Sequence, residues 1–152
     1  MAAVLASGTT TIENAAQEPE VQDLAQLLNA MGADVAGAGG PVITVKGVER
    51  LHGVRNYSVI PDRIEAGTWA IAAAITGGDL LIEGAYQRHL DALVDMLVET
   101  GASVDAVDDG LHVVANGRPQ SVDITTDPFP GFPTDLQAQF MALMCVAEGA
   151  SR

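Results

Sequence analysis

Asp135 is the residue in this sequence of 152 best placed to do chemistry. It follows Phe129-Pro130-Gly131-Phe132-Pro133-Thr134 and stands at the start of a run whose composition predicts a helix, Asp135 to Ala147. Thr134 and Gln137 have the spacing of a capping box, and a carboxylate at the next position meets the positive end of the helix. That end also lowers a carboxylate pKa and weakens it as a base, so spacing alone leaves a structural and an acid–base role both standing. Asp62 and Glu65 repeat the device ahead of an earlier helix, at whose first position sits Arg63. A cation there opposes the helix dipole, which predicts pairing with an acid or a ligand; a structural ion pair and a substrate contact both answer to that. Glu18 and Glu20 flank Pro19 and read as first-turn carboxylates. His52, His89 and His112 have no metal-ligand spacing and read as surface histidines. Cys145, inside Met141 to Ala147, is expected to be a buried thiol behaving as a small apolar group. Gly37-Ala38-Gly39-Gly40-Pro41 has neither a lysine nor a following helix, and so reads as a turn, not a phosphate loop. Phe129 to Pro133 reads as a stiff extended loop that positions Asp135.

Composition narrows what these residues could serve. Twenty Asp and Glu against seven Lys and Arg leave a net charge of −13, with no acidic run, which predicts a solvated acidic surface. The basic residues, Lys46, Arg50, Arg55, Arg63, Arg88, Arg118 and Arg152, are never adjacent, so no basic stripe faces a nucleic acid. An anionic small molecule is poorly served as well, unless its cations come from elsewhere. A single cysteine excludes a disulfide framework and a cysteine-based zinc site. The first residues lack the basic region of a secretory signal, and the most apolar stretches, Trp69 to Ile75 and Met141 to Ala147, are too short to span a bilayer. A reducing cytoplasm is the expected setting. With 48% apolar residues and a mean hydropathy of +0.23, the chain has ample material for a core.

The elements that must carry these residues repeat. Ile12-Glu13-Asn14-Ala15 matches Ile82-Glu83-Gly84-Ala85 seventy residues on, and Met31-Gly32-Ala33 matches Thr100-Gly101-Ala102 sixty-nine residues on. A third copy begins where Pro133-Thr134-Asp135-Leu136-Gln137-Ala138 echoes Pro61-Asp62-Arg63-Ile64-Glu65-Ala66. Each unit reads β-α-β-β-α. Apolar helices are predicted at Arg63 to Thr76 and Asp135 to Ala147, with Gly78 and Gly149 as their caps. Strands follow at Thr9 to Glu13 and Asp79 to Glu83. Amphipathic helices come next, with stripes Val21, Leu24, Leu28, Met31 and Leu90, Leu93, Val94, Leu97, Val98, closed by Gly32 and Gly101. Short strands are predicted at Asp34 to Ala36, Val42 to Val48 and Tyr57 to Ile60, then at Ser103 to Val107, Leu111 to Ala115 and Val122 to Thr125. The helix from Arg63 is apolar almost all round and must be buried on most sides, its Ala and Gly residues admitting close neighbours. Such units suggest helices packed inside a ring of sheets.

Four stretches carry a resemblance. Ile12 to Val21, Val45 to Leu51, Pro61 to Thr68 and the Pro130-Gly131-Phe132-Pro133-Thr134-Asp135 stretch with Gln137-Ala138-Gln139-Phe140 closely resemble the UDP-N-acetylglucosamine enolpyruvyl transferase family, in order along the whole chain. The resemblance implies a fold of two inside-out α/β barrels built from β-α-β-β-α units of about 70 residues, here incomplete. It implies that 1–60 end one lobe and 61–152 lie in the second, so that Arg63 stands at the lobe boundary and Glu18 and Glu20 could pair between lobes. It implies transfer of enolpyruvyl from phosphoenolpyruvate to the 3-hydroxyl of UDP-N-acetylglucosamine, the first committed step of peptidoglycan precursor synthesis, with no metal or organic cofactor. Asp135 then matches the aspartate that contacts the sugar 3-hydroxyl and takes its proton. The family's Lys-Asn pair, its loop with a catalytic Cys or Asp, and most of its phosphate-binding cations have no counterpart here, which explains the missing positive charge and predicts that the chain is inactive alone. A 5-enolpyruvylshikimate-3-phosphate synthase-like transferase and a non-catalytic scaffold fragment are the alternatives. Incomplete units would leave apolar faces and strand edges exposed, inviting self-association.

Overall fold

A computed structural model describes all 152 residues, which form two compact units, Met1–Ile60 and Pro61–Arg152. In the first, a short 3-10 turn (Ala2–Leu5) precedes β1 (Thr9–Glu13), α1 (Pro19–Ala30), β2 (Asp34–Ala36) and β3 (Val42–Lys46). The second runs α2 (Arg63–Thr76), β4 (Asp79–Glu83), a 3-10 turn (Gln87–His89), α3 (Asp91–Glu99), β5 (Ser103–Val107), β6 (Gly110–Val114), a 3-10 turn (Thr134–Leu136) and α4 (Gln137–Val146).

Both units fold the repeat in the same way. Each has a three-stranded antiparallel sheet whose last strand in sequence lies in the middle: β1-β3-β2 in one and β4-β6-β5 in the other. Thr9 pairs with Lys46 and Asp79 with Val114, the same end of the equivalent ladder. The middle strand makes the most regular burial. Leu111 and Val113 on β6 are fully buried and Ile43 and Val45 on β3 nearly so, as the period of two in a half-buried strand requires. Gly37 to Pro41 forms the β2–β3 turn, in which Gly40 N–H donates to Gly37 O at 3.0 Å.

The two cores differ in size. Val4, Leu28, Ile43 and Val45 are the buried large side chains of the first unit. The second joins α2, α3 and β6 to Leu136, Phe140 and Leu143, all three fully buried. At about 1.5–3 kcal/mol for each large apolar side chain buried, the second unit is the better stabilised of the two. Within α2 the Ala66, Ala70, Ala73 and Ala74 side chains face this core, where their small size lets α2 lie close to its neighbours. No helix is long and apolar enough to cross a membrane.

Several expectations are corrected. Gly77, not Gly78, caps α2: its φ of 64° is left-handed, and its N–H bonds the end of the helix. Gly149 caps nothing, because α4 ends at Val146 and Ala147 is already extended. β3 stops at Lys46, where Gly47 and Val48 turn their N–H groups to Gly8 O and Val4 O. Residues 57–60 and 122–125 are not strands. Val122 N–H instead meets Met144 Sδ, and Ile124 N–H meets Arg152 O. Val98 is 52% exposed, outside the α3 stripe, and Trp69 is 55% exposed, so α2 has one open side. Cys145 is exposed because α4 turns Leu136, Phe140 and Leu143 inward and leaves Met141 and Cys145, one turn apart, outside.

Candidate functional site

Asp135 sits in the 3-10 turn Thr134–Leu136, with its side chain exposed and accepting no hydrogen bond from this chain. The expected capping box does not form. Pro133 occupies the cap position, no side chain caps the turn, and Leu136 N–H bonds Pro133 O at 3.1 Å. The 3-10 path places Thr134 inside the turn and leaves Leu136, not Thr134, at the cap position of α4. At α2 the Asp62 half of the companion device forms: Asp62 Oδ1 accepts from Ile64 N–H at 2.8 Å and Glu65 N–H at 3.1 Å.

The segment leading to Asp135 is a turn, not an extended strap. Gly131 N–H donates to Pro128 O at 2.8 Å, Asp127 N–H donates to Phe132 O at 3.0 Å, and the Phe129–Pro130 peptide is cis. Phe132 is buried against Phe140, their rings meeting edge to face at 5.4 Å, so that the turn is anchored in the same core as α4. Arg63 is also brought here. It is 9% exposed, and its guanidinium lies 5.8 Å from the centre of the Phe129 ring, within range of a cation–π attraction.

Below Asp135, α2 and α4 are joined by a polar bond. Gln139 Nε2 donates to Thr68 Oγ at 3.0 Å, and Thr68 Oγ donates to Ile64 O at 2.8 Å. Leu136 packs over Gly67, where an added Cβ would come within 2.7 Å of Leu136 Cδ1. The helix N-termini, Arg63, the Phe129 turn and Asp135 thus belong to one end of the second unit's core.

The remaining candidates each have their own surroundings. Glu18 takes the cap position of α1 without a side-chain cap bond, and Glu20 lies in its first turn. His52 Nδ1 lies 3.3 Å from Gly53 O, and His89 packs edge-on against Tyr86 at 5.3 Å. His112 keeps a partly exposed side chain, and its Nε2 lies 2.6 Å from Asp79 Oδ1 between β4 and β6. A cross-strand neighbour of this kind has no fixed sequence spacing, so nothing in the pattern announced it. No group of three or more His, Cys, Asp and Glu side chains is arranged to hold a metal ion. Tyr57 was also missed. Its hydroxyl donates to Asp23 O and Asp23 Oδ1, both at 2.8 Å, and the same contact seals Asp23, which is 8% exposed. Burial first, then the hydrogen bond and the charge of Asp23, raise the Tyr57 pKa above 10.0.

Comparison with known proteins follows the same course along the chain. The family model for EPSP synthase (3-phosphoshikimate 1-carboxyvinyltransferase) matches residues 1–152. The UDP-N-acetylglucosamine 1-carboxyvinyltransferase of Parasynechococcus marenigrum (strain WH8102) is 64% identical over 151 residues, 99% of this chain and 35% of that protein. The protein of the same name from Brucella abortus (strain S19) is 59% identical over 152 residues, with the same 99% and 35% covered. The chain therefore spans about a third of the length of these relatives. Among solved structures, the enolpyruvyl transferase NikO from Streptomyces tendae is similar with a TM-score of 0.80 and 28% identity, covering 97% of this chain and 35% of that one. EPSP synthase from Acinetobacter baumannii, at a TM-score of 0.61 and 23% identity over the same shares, is alike in fold.

Proposed function

This chain belongs to the EPSP synthase family, and from that premise we propose that it is a segment of an enzyme that transfers enolpyruvyl from phosphoenolpyruvate to the 3-hydroxyl of UDP-N-acetylglucosamine. Its fold class is that of the α/β enolpyruvyl transferases, repeated units of helix and antiparallel sheet. The observation that carries the substrate choice is the 64% identity, along 99% of the chain, to a protein named for this reaction. An EPSP synthase-like substrate is less well supported, since the likeness to that enzyme's structure stands at 23% identity. We place the reaction in the cytoplasm, as a step toward peptidoglycan precursors.

In this reading Asp135 binds the sugar and acts as the general base. Its carboxylate takes the proton of the 3-hydroxyl as that oxygen bonds to C2 of phosphoenolpyruvate, while the methylene carbon gains a proton from a donor outside this chain. The adduct then loses phosphate, and its methyl proton returns to a base outside this chain, which restores the double bond and leaves the enolpyruvyl ether. An exposed carboxylate on a short turn between two buried anchors, Phe132 and Leu136, suits this task, because a base must be presented to the substrate without being free to swing. Arg63 is assigned a supporting role at the same end, steadying the Phe129 turn and standing near bound substrate. The cations that hold both anionic substrates belong to the rest of the enzyme. Asp135→Asn in the complete enzyme is expected to lower kcat by about 10²-fold or more. Steady-state phosphate release reads this, and an undiminished kcat would remove Asp135 from the base role.

A further inference from the structure

We propose that Gly67 and Thr68 of α2 form a socket that positions the Asp135 carboxylate, which makes Gly67, Thr68 and Gln139 positioning residues for the proton transfer. The inference rests on Asp135 acting as the base in the reaction above.

The turn that carries Asp135 has little to hold it in place by itself. It is one 3-10 turn with no side-chain cap, bonded internally through Leu136 N–H to Pro133 O. What immobilises it lies on α2, at two consecutive residues. Leu136, the next residue after Asp135, is fully buried, and its side chain fills the space where residue 67 has no Cβ. A Cβ there would stand 2.7 Å from Leu136 Cδ1, 3.1 Å from Leu136 Cδ2 and 3.0 Å from Leu93 Cδ2. Leu93 is itself 1% exposed, so it closes the notch from the other side and Leu136 has nowhere to swing.

Thr68 supplies the second grip, one helical turn further along α4. Its hydroxyl proton is committed to Ile64 O at 2.8 Å, which leaves the oxygen as an acceptor for Gln139 Nε2 at 3.0 Å. The direction of this bond is therefore fixed. Turning the amide over would set its oxygen against an oxygen whose proton is already used. Gln139 Oε1 is buried with no hydrogen-bond partner in this chain, so the side chain keeps its place through the Thr68 bond alone. Asp135 immediately precedes the first gripped residue, Leu136, and lies four residues before the second, Gln139, and both grips are on the first half of α2. That half is itself tied down by the Asp62 cap. The socket does what the missing capping box would have done, and it refers the carboxylate to α2 rather than to its own helix.

The test is run in the complete enzyme carrying this segment, with kcat, the KM of each substrate and the thermal midpoint measured for every variant. Gly67→Ala forces Leu136 out of its notch. Thr68→Val keeps the shape but loses the acceptor, and each is expected to lower kcat roughly ten- to a hundredfold with both KM values within about twofold, the mark of a displaced base. Thr68→Ser keeps the hydroxyl and is expected to restore kcat. The double variant Thr68→Val with Gln139→Leu is expected to be no slower than Thr68→Val alone, since both remove one bond. Ile75→Ala, near the far end of α2, controls for stability, lowering the midpoint while leaving kcat unchanged. Wild-type kcat in Gly67→Ala and Thr68→Val, or a loss that merely tracks the midpoint as other destabilised variants do, overturns the socket. Should Gly67→Ala fail to fold, Thr68→Val and Thr68→Ser carry the test between them. The Asp135→Asn result separates the two readings. If that variant keeps its rate, the base assignment fails; if it collapses while the socket variants run normally, the socket alone fails.

Discussion

At the scale of single residues, environment separates side chains that the sequence presents alike. Asp135, Asp62 and Asp23 are all aspartates on or beside helices. Asp62 is exposed but consumed as a cap, Asp23 is sealed beneath a tyrosine, and Asp135 is exposed with a carboxylate that accepts nothing from the chain. That difference suits Asp135 to the base role proposed for it. The Asp23 contact has its own consequence for pH. The folded state holds the Tyr57 proton more tightly than the unfolded chain does, since its pKa is raised above 10.0 by burial, by the bond to Asp23 and by that group's charge. The stabilisation from this contact is therefore complete below pH 10.0 and disappears as the pH rises through the elevated value. Tyr57→Phe is expected to lower the thermal midpoint at neutral pH and to flatten its decline in alkali. Melting curves followed by circular dichroism from about pH 7 to about pH 11 check this, and identical alkaline slopes for the two proteins would contradict it.

Elements show where a local pattern is enough and where it is not. β1, β2, β4 and β5 lie over the predicted residues, β1 with the alternation and β-branching of a strand, and α2 runs over the predicted residues from end to end. These are decided by period and by residues next in sequence. The 122–125 and 57–60 segments have the same local pattern without becoming strands, because no ladder partner reaches them and their bonds go to Met144, Arg152 and Asp23 instead. The two apolar helices, equivalent in sequence, also begin differently. Asp62 caps α2, whereas Thr134 caps nothing because a 3-10 turn precedes α4. Asp62→Ala is therefore expected to cost about 1 kcal/mol, and Thr134→Ala less than about 0.5 kcal/mol. Denaturant titration of both variants measures the pair, and equal losses would show that the box forms after all.

The whole molecule gives the charge its meaning. A chain at −13, with seven scattered cations, is poorly made to gather two anionic substrates, and it spans about a third of the relatives that it matches. Phosphate release from phosphoenolpyruvate and UDP-N-acetylglucosamine is accordingly expected to be undetectable with these 152 residues alone, and turnover would contradict the assignment of the substrate cations to the rest of the enzyme. The exposed apolar residues Trp69, Met141 and Val146 fit the same account, since α2 and α4 keep one uncovered side each.

The sequence by itself determined the repeat and most of the helices and strands, because these follow from period and from residues close along the chain, whereas spacing left the role of Asp135 open and the family resemblance singled it out. Only the tertiary structure decided that Cys145 faces outward, that His112 meets Asp79, that Leu136 packs over Gly67 and that Gln139 bonds Thr68. Those contacts join residues tens of positions apart, and folding, not spacing, sets which of them meet.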